Sequence, residues 1–498
     1  MAQNGAREKA PQLALLRLSG EIAIKGRATR GQFKRQLIGN LRDALLSHGL
    51  EPRIEVSHDR LYAELPEGAE LAELPLARVF GISSLSRVER QPVTQLADVV
   101  RVAAPLFREA VRGRRFAVRA RRVGRHESAT APPREVEREL GALLLPDSAG
   151  VDLGHPEVTV GIEISEDSSA FFTEGVRGPG GLPLGCEGRA LSLLSGGFDS
   201  AVATWQLQKR GVVCDSLFCN LGGAAHLREV LPVAQHLAQR WSYGARPKLH
   251  ALDFAPVAEA LQAHTRTRYW QVLLKRLMLR AAEAVARETH AEALVTGDAV
   301  GQVSSQTLTN LAVVSQATRM PVLRPLVGLD KHEITARASE IGTYELSKSV
   351  GEYCALVPSR PATRARLEAV QAEEAKLPPA LLEAAVEERT VFDLRALDPG
   401  VADAPELAVE RLPEGAVLID LRPLAQYRSG HHPEALHLDF ASALEAYPGL
   451  ERERVYVLCC DYGLLSAQLA ERMHRDGFRA HHFRGGQRAL MKTVAKER

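Results

Sequence analysis

Cysteine is scarce in this chain, six in 498 residues with no Cys-x-x-Cys pair among them. That scarcity excludes a disulfide-stapled scaffold and a structural zinc ribbon, and leaves any special cysteine to act as a reactive thiol. Long apolar runs are also missing. None approaches the roughly 18 residues that cross a bilayer, so no membrane partner is expected. The opening residues 1–11 are polar and lack a signal-peptide core, from which a cytoplasmic location is expected. Net charge is nearly absent too, at +2, but the balance hides an asymmetry: residues 101–125 carry nine arginines and a single acid, Glu109. Such a stretch suits a polyanion. What remains is ordinary for globular chains, with 45 % hydrophobic and 25 % charged residues, and the length suggests roughly three or four domains.

Periodicity divides the chain. Residues 13–18 read as a strand, 29–48 as an amphipathic helix with Phe33, Leu37, Leu41 and Leu45 on one face, and 61–65 as a further strand. These form a small α+β unit over 1–75. A second α/β unit over 76–178 contains helices at 96–111 and 133–145 and strands at 116–121 and 157–165. In its strand at 116–121, Phe116, Val118 and Ala120 alternate with Ala117, Arg119 and Arg121, giving one apolar and one cationic face. After the turn-rich run at 178–183, strands at 190–194, 212–218, 249–253 and 293–296 alternate with helices, the pattern of a doubly wound parallel sheet over 179–385. A linker over 386–405 leads to a last α/β domain over 406–498.

The chemistry concentrates where strands end. Leu194-Ser195-Gly196-Gly197-Phe198-Asp199-Ser200 runs from an apolar strand into a glycine turn that opens a helix, a phosphate cradle of backbone N–H groups, hydroxyls and a positive helix end. No lysine follows the glycines, so the phosphate-transferring GxxxxGK[ST] loop is excluded. The pattern resembles the pyrophosphatase loop of ATP-dependent adenylating enzymes. Phe218 ends a neighbouring strand, and Gly297-Asp298 opens a loop rich in amides, Gln302 and Gln306, suited to a nucleotide. Asp199 and Asp298 are candidates to handle magnesium, or are turn acids. Lys331 starts a helix, where the dipole disfavours it, and is a candidate cation for the triphosphate or an exposed surface lysine.

A separate thiol signal lies near the C-terminus. Cys460-Asp461-Tyr462-Gly463 leaves a buried strand and opens a helix, a setting that activates a thiol and stabilises a persulfide. Cys459, inside the strand, is expected to be buried and inert. Together with Leu418-Ile419-Asp420-Leu421-Arg422 and Gly430-His431-His432-Pro433-Glu434, this resembles rhodanese domains, although many of these carry arginine where this chain has Leu465. Cys354, in Gly351-Glu352-Tyr353-Cys354, is either a packed thiol or a resolving partner for Cys460.

The whole series resembles the ThiI family of tRNA 4-thiouridine synthetases. Ser19-Gly20-Glu21-Ile22-Ala23-Ile24-Lys25-Gly26 is similar to the opening motif of its ferredoxin-like domain, Val79-Phe80-Gly81-Ile82 to the entry of its RNA-binding THUMP domain, and Gly180-Gly181-Leu182-Pro183 to the lead-in of its nucleotide loop. The resemblance implies a multidomain α/β protein: ferredoxin-like domain, THUMP domain, pyrophosphatase-loop domain and rhodanese domain. It implies ATP and Mg2+ as cofactors, tRNA gripped by Arg114, Arg115, Arg119, Arg121, Arg122 and Arg125, and adenylation of a uridine, the one at position eight. A cysteine desulfurase then loads Cys460 with sulfur, and Cys354 resolves the product by forming a disulfide with Cys460. A sulfur carrier for the thiamine thiazole is an implied further partner, and a homodimer an open arrangement. Two other readings stand beside this one. A small-molecule adenylating enzyme lacks use for the arginine strand, and a sulfur-relay or RNA-binding scaffold lacks use for an intact nucleotide loop.

Overall fold

The computed structural model describes residues 12–57, 60–66, 68–124, 130–173, 175–350, 360–397, 407–461 and 463–497. Cys354 and Arg125 lie outside them. The chain divides into two compact units, one of residues 1–187 with 208–212 and 240–245, the other of 188–207, 213–239 and 246–498.

The first unit is built on one nine-stranded sheet, ordered Ile54–Ser57, Arg60–Leu65, Gln12–Leu18, Ile82–Gln91, Ser169–Thr173, Val158–Ile164, Arg115–Arg122 and Gly150–Val151, with Val176–Arg177 also on Ile82–Gln91. The sheet runs straight through the division expected at residue 75. Ile82–Gln91 pairs antiparallel with Gln12–Leu18, Leu85 opposite Leu16, so backbone that would be an open edge in either half is satisfied by the other. Two of the hydrophobic clusters on this sheet take in helices. Phe33, Leu37 and Leu41 of helix Arg27–Leu46 enter one, with Leu16 and Leu61. Val99 and Phe107 of helix Leu96–Val111 and Val136 and Leu140 of helix Pro133–Leu144 enter the other, with Phe116 and Val118.

The second unit holds two sheets. The six-stranded one is ordered Val322–Leu323, Ala293–Val295, Arg189–Leu193, Val213–Asn220, Lys248–Asp253 and Thr390–Asp393. All its pairings are parallel except the last. Thr390–Asp393 therefore corrects the linker reading of 386–405: its first part closes an edge of the sheet, antiparallel to Lys248–Asp253. Leu191, Leu217, Leu252 and Leu294, one from each central strand, pack with Leu273 and Leu277 of helix Trp270–Glu288. The smaller sheet has five parallel strands, ordered Ala408–Val409, Arg479–Phe483, Val455–Cys459, Val417–Asp420 and Leu436–His437. Parallel strands align their carboxyl ends, which puts the glycine loop on one side of the large sheet and Cys460 on the corresponding side of the small one. Among the described residues, no helix is long and apolar enough to cross a membrane.

Candidate active site

Strand Arg189–Leu193 passes through Leu194 into the glycine turn, and helix Phe198–Lys209 begins at its far side. Gly196 takes φ +81°, a left-handed conformation, and a Cβ there would meet Val230 at 3.0 Å. Gly297 is required for a different reason. A Cβ on it would lie 2.7 Å from the Asp199 carbonyl carbon and the Ser200 nitrogen, so its loop and the glycine turn touch backbone to backbone. Ser195 is exposed, whereas Ser200 is buried and occupied: its Oγ donates to Gly197 O at 3.0 Å and accepts from Ser195 N at 3.1 Å. Ser200 thus shapes the turn while also lining the adjoining pocket, and Ser195 is the exposed hydroxyl.

A cavity of about 520 Å3 opens beside this turn. Leu194, Phe218, Leu221, Leu274 and Met278 give it an apolar side, and Ser195, Gly197, Asp199, Lys275 and Lys331 a polar one. His226 lines the apolar side, edge-on to Phe218 at 4.6 Å, and burial pushes its pKa down to about 3, so it stays neutral. Lys331 Nζ reaches Asp199 at 3.1 Å and stands 5.4 Å from the Phe198 ring centre. Gln302 donates to the same carboxylate at 3.0 Å. The Asp330/Glu333 capping box satisfies the first turn of helix Lys331–Ile341, which frees Lys331 to lean across the cavity.

Asp298 is buried and lines the adjoining pocket with Gly297 and Gln306. Lys275 Nζ lies 2.6 Å from its Oδ1 and Arg324 Nε 3.2 Å from its Oδ2, while Thr296 and Gln306 donate at 2.8 and 3.3 Å. A carboxylate already balanced by two cations is a poor magnesium ligand. Asp298 positions Lys275 instead, and Asp199 is left as the acid able to share a metal with phosphate oxygens. Lys275 and Arg324 escaped the sequence reading. The available sign was a lysine between Leu274 and Met278, beside the buried apolar residues of an amphipathic helix.

Cys460 sits with its thiol 3.5 Å from Ser466 Oγ, and its carbonyl accepts from Gln487 N at 2.8 Å. Gly486, at φ +63°, allows this approach: a Cβ would fall 2.2 Å from Cys460 O. Cys459 is fully buried, burial drives its pKa upward, and it stays a packed thiol, as its strand position requires. Arg422 pairs with buried Asp420 at 2.7 Å and brings a second nitrogen within 4.0 Å of Asp461, the residue after the thiol. The loop lacking an arginine at Leu465 therefore has a guanidinium nearby, from the loop that follows strand Val417–Asp420.

In the first unit, Arg114, Arg119 and Arg122 remain exposed. Arg115 lies 3.6 and 3.8 Å from Asp152 and Glu157. Arg121 differs from the expected open face. It binds Glu163, a buried carboxylate also held by Arg60 at 2.6 Å and Arg17 at 3.5 Å, so its charge is partly committed to the sheet.

Family models match three stretches: the ThiI ferredoxin-like domain over residues 13–86, the thiamine biosynthesis protein (ThiI) model over 185–378, and the rhodanese-like domain over 404–492. A tRNA sulfurtransferase of Pyrobaculum aerophilum is 38 % identical over 96 % of this chain and 98 % of its own length. One of Marinobacter nauticus is 38 % identical over 93 % of this chain and 97 % of its own. Among solved structures, a 4-thiouridine synthetase in complex with RNA and bound ATP superposes with a TM-score of 0.67 at 31 % identity, covering 77 % of this chain and 99 % of the other.

Proposed function

From the premise that this chain belongs to the ThiI family of tRNA sulfurtransferases, we propose that it converts the uridine at position eight of tRNA to 4-thiouridine, using ATP at the Ser195 loop and sulfur carried on Cys460. The observation that carries this reading is the pairing, within one unit, of a cavity with an apolar side and a cationic, glycine-floored side and a separate glycine-cradled thiol.

The apolar side suits a purine, and Ser195, Lys331 and Lys275 suit the phosphates. The uridine O4 attacks the α-phosphorus, the bond to the β-phosphate breaks, and pyrophosphate leaves. Lys331, released from Asp199, balances the growing charge on the departing group. A magnesium ion fits Asp199 together with phosphate oxygens, where it would neutralise the polyphosphate. The terminal sulfur of a Cys460 persulfide, supplied by a cysteine desulfurase, then attacks C4, and AMP leaves with the oxygen. Cys354 attacks the Cys460 sulfur, the sulfur–sulfur bond breaks, and the outer sulfur stays on the base as the thiocarbonyl. The sulfane sulfur is the oxidant in that step, so a Cys354–Cys460 disulfide remains for an external dithiol to reduce. The THUMP reading of residues 76–178, with exposed Arg114, Arg119 and Arg122, assigns the backbone grip on tRNA to that segment. The same persulfide serves a second acceptor, the sulfur carrier for the thiamine thiazole.

The test is nucleoside mass spectrometry on unmodified tRNA incubated with the protein, ATP, magnesium and a cysteine desulfurase with cysteine. 4-Thiouridine should form with the parent and disappear in Cys460→Ala and Asp199→Ala. Sulfur loading on Cys460 without any thiolated uridine would sink the tRNA reading and leave the sulfur relay.

A further inference from the structure

Helix Leu464–Arg475, which opens from the thiol loop, carries Glu471 on its third turn. Its carboxylate accepts from Ala224 N at 2.7 Å and Ala225 N at 2.6 Å, the first free amides of helix Gly223–Trp241 in the nucleotide domain. The side chain is nearly buried, 11 % exposed, with Arg228 at 3.8 Å. Gly223 completes the fit from the other side, at φ +67°, because a Cβ there would strike Glu471 Oε2 at 2.4 Å. A 370 Å3 cavity flanks the contact and is lined from both domains, by Asp253, Pro256 and Glu259 and by Phe440, Leu444 and Arg475.

Each of the two helices joined here adjoins one half of the chemistry. Leu221 and His226, on either side of the paired amides, line the nucleotide cavity. Glu471 stands seven residues after the helix start that follows the Cys460 loop, about 10 Å of helix rise. We propose that Glu471 is a positioning residue, a clasp that seats the sulfur-bearing domain at the wall of the nucleotide cavity so that transfer from Cys460 proceeds as an intramolecular step. This rests on the reading of Cys460 as the sulfur carrier. Burial raises the Glu471 pKa against the opposing pull of the two amides, Arg228 and Arg475, so the ionised carboxylate is seated at a cost.

The experiment uses the full chain, preloaded with persulfide and mixed with ATP, magnesium and tRNA in a single turnover. Glu471→Ala should slow 4-thiouridine formation about tenfold, because the tethered domain loses its favoured seat and only its effective concentration remains. Persulfide loading of Cys460 and tRNA-dependent pyrophosphate release should stay at parent levels, which separates a lost seat from a misfolded domain. Glu471→Gln keeps one acceptor oxygen for the two amides and turns its NH2 donor toward the other, so it should restore only part of the rate. Hydrogen exchange should quicken at both Ala224 and Ala225 in the alanine variant and at one of the two in the glutamine one. Transfer by Glu471→Ala at or above the parent rate would overturn the clasp, whereas failure of the parent itself to thiolate would instead overturn the sulfur-carrier reading.

Discussion

At Asp298, Lys275 and Arg324 bring two formal positive charges to one buried carboxylate, and Thr296 and Gln306 fill its remaining lone pairs. Asp298→Asn leaves both cations facing a neutral amide, and the expected loss of unfolding free energy is about 3–5 kcal/mol, read from urea denaturation. Burial by itself raises the Asp298 pKa, but Lys275, Thr296 and Arg324 outweigh it and hold the net value below the usual range. Folding therefore favours the ionised form. Its contribution is complete above the unfolded-state value of about 3.9 and is lost as pH falls through the lower folded value. Urea midpoints of the parent should drop over that acid window, and Asp298→Asn should lack this part of the drop. At the thiol loop the expectation is a contrast between neighbours: Cys460→Ser abolishes thiolation and keeps tRNA-dependent pyrophosphate release, while Cys459→Ser keeps both, as mass spectrometry and a phosphate assay would show. Cys460 and the glycine turn were legible because strand, loop and helix are local. Lys275 and Arg324 were not, because a buried ion pair links a helix, a strand end and a loop distant in sequence.

The glycine turn and the Gly297 loop act as one element made of two strand ends. Gly297→Ala places a methyl 2.7 Å from the Asp199 and Ser200 backbone, so one loop must retreat. Neither side of that contact is a flexible side-chain end. ATP affinity should fall at least about tenfold, the scale on which small displacements act in such sites, while far-ultraviolet circular dichroism keeps the parent spectrum; equilibrium dialysis with labelled ATP checks the first half. Element positions were largely readable from periodicity, as helix Leu96–Val111 and strand Val455–Cys459 show. Thr390–Asp393 was not, since a four-residue edge strand has no period of its own and is made by the open side of Lys248–Asp253.

Arg114, Arg119 and Arg122 belong to the first unit, and the Ser195 and Cys460 loops to the second. A phosphate grip releases counterions, so the logarithm of tRNA affinity should fall linearly with the logarithm of salt concentration. Arg119→Ala and Arg122→Ala should each reduce that slope by about 0.7–0.9, and Arg121→Ala by less, since its guanidinium is shared with Glu163; filter binding over a salt series distinguishes them. The order of the ferredoxin-like, ThiI and rhodanese-like segments and the strand–turn–helix settings of the Ser195 loop and Cys460 could be read from the chain before folding, because each is written in contiguous residues whose local conformation follows from glycine, strand and helix chemistry. Folding alone established that the two N-terminal segments share one sheet, that Asp298 pairs with Lys275 and Arg324, that Arg121 turns to Glu163, and that Glu471 caps a helix of another domain. Those are pairings of groups far apart along the chain, and a buried charge or an open strand edge finds its partner by proximity in space, which no spacing in the sequence records.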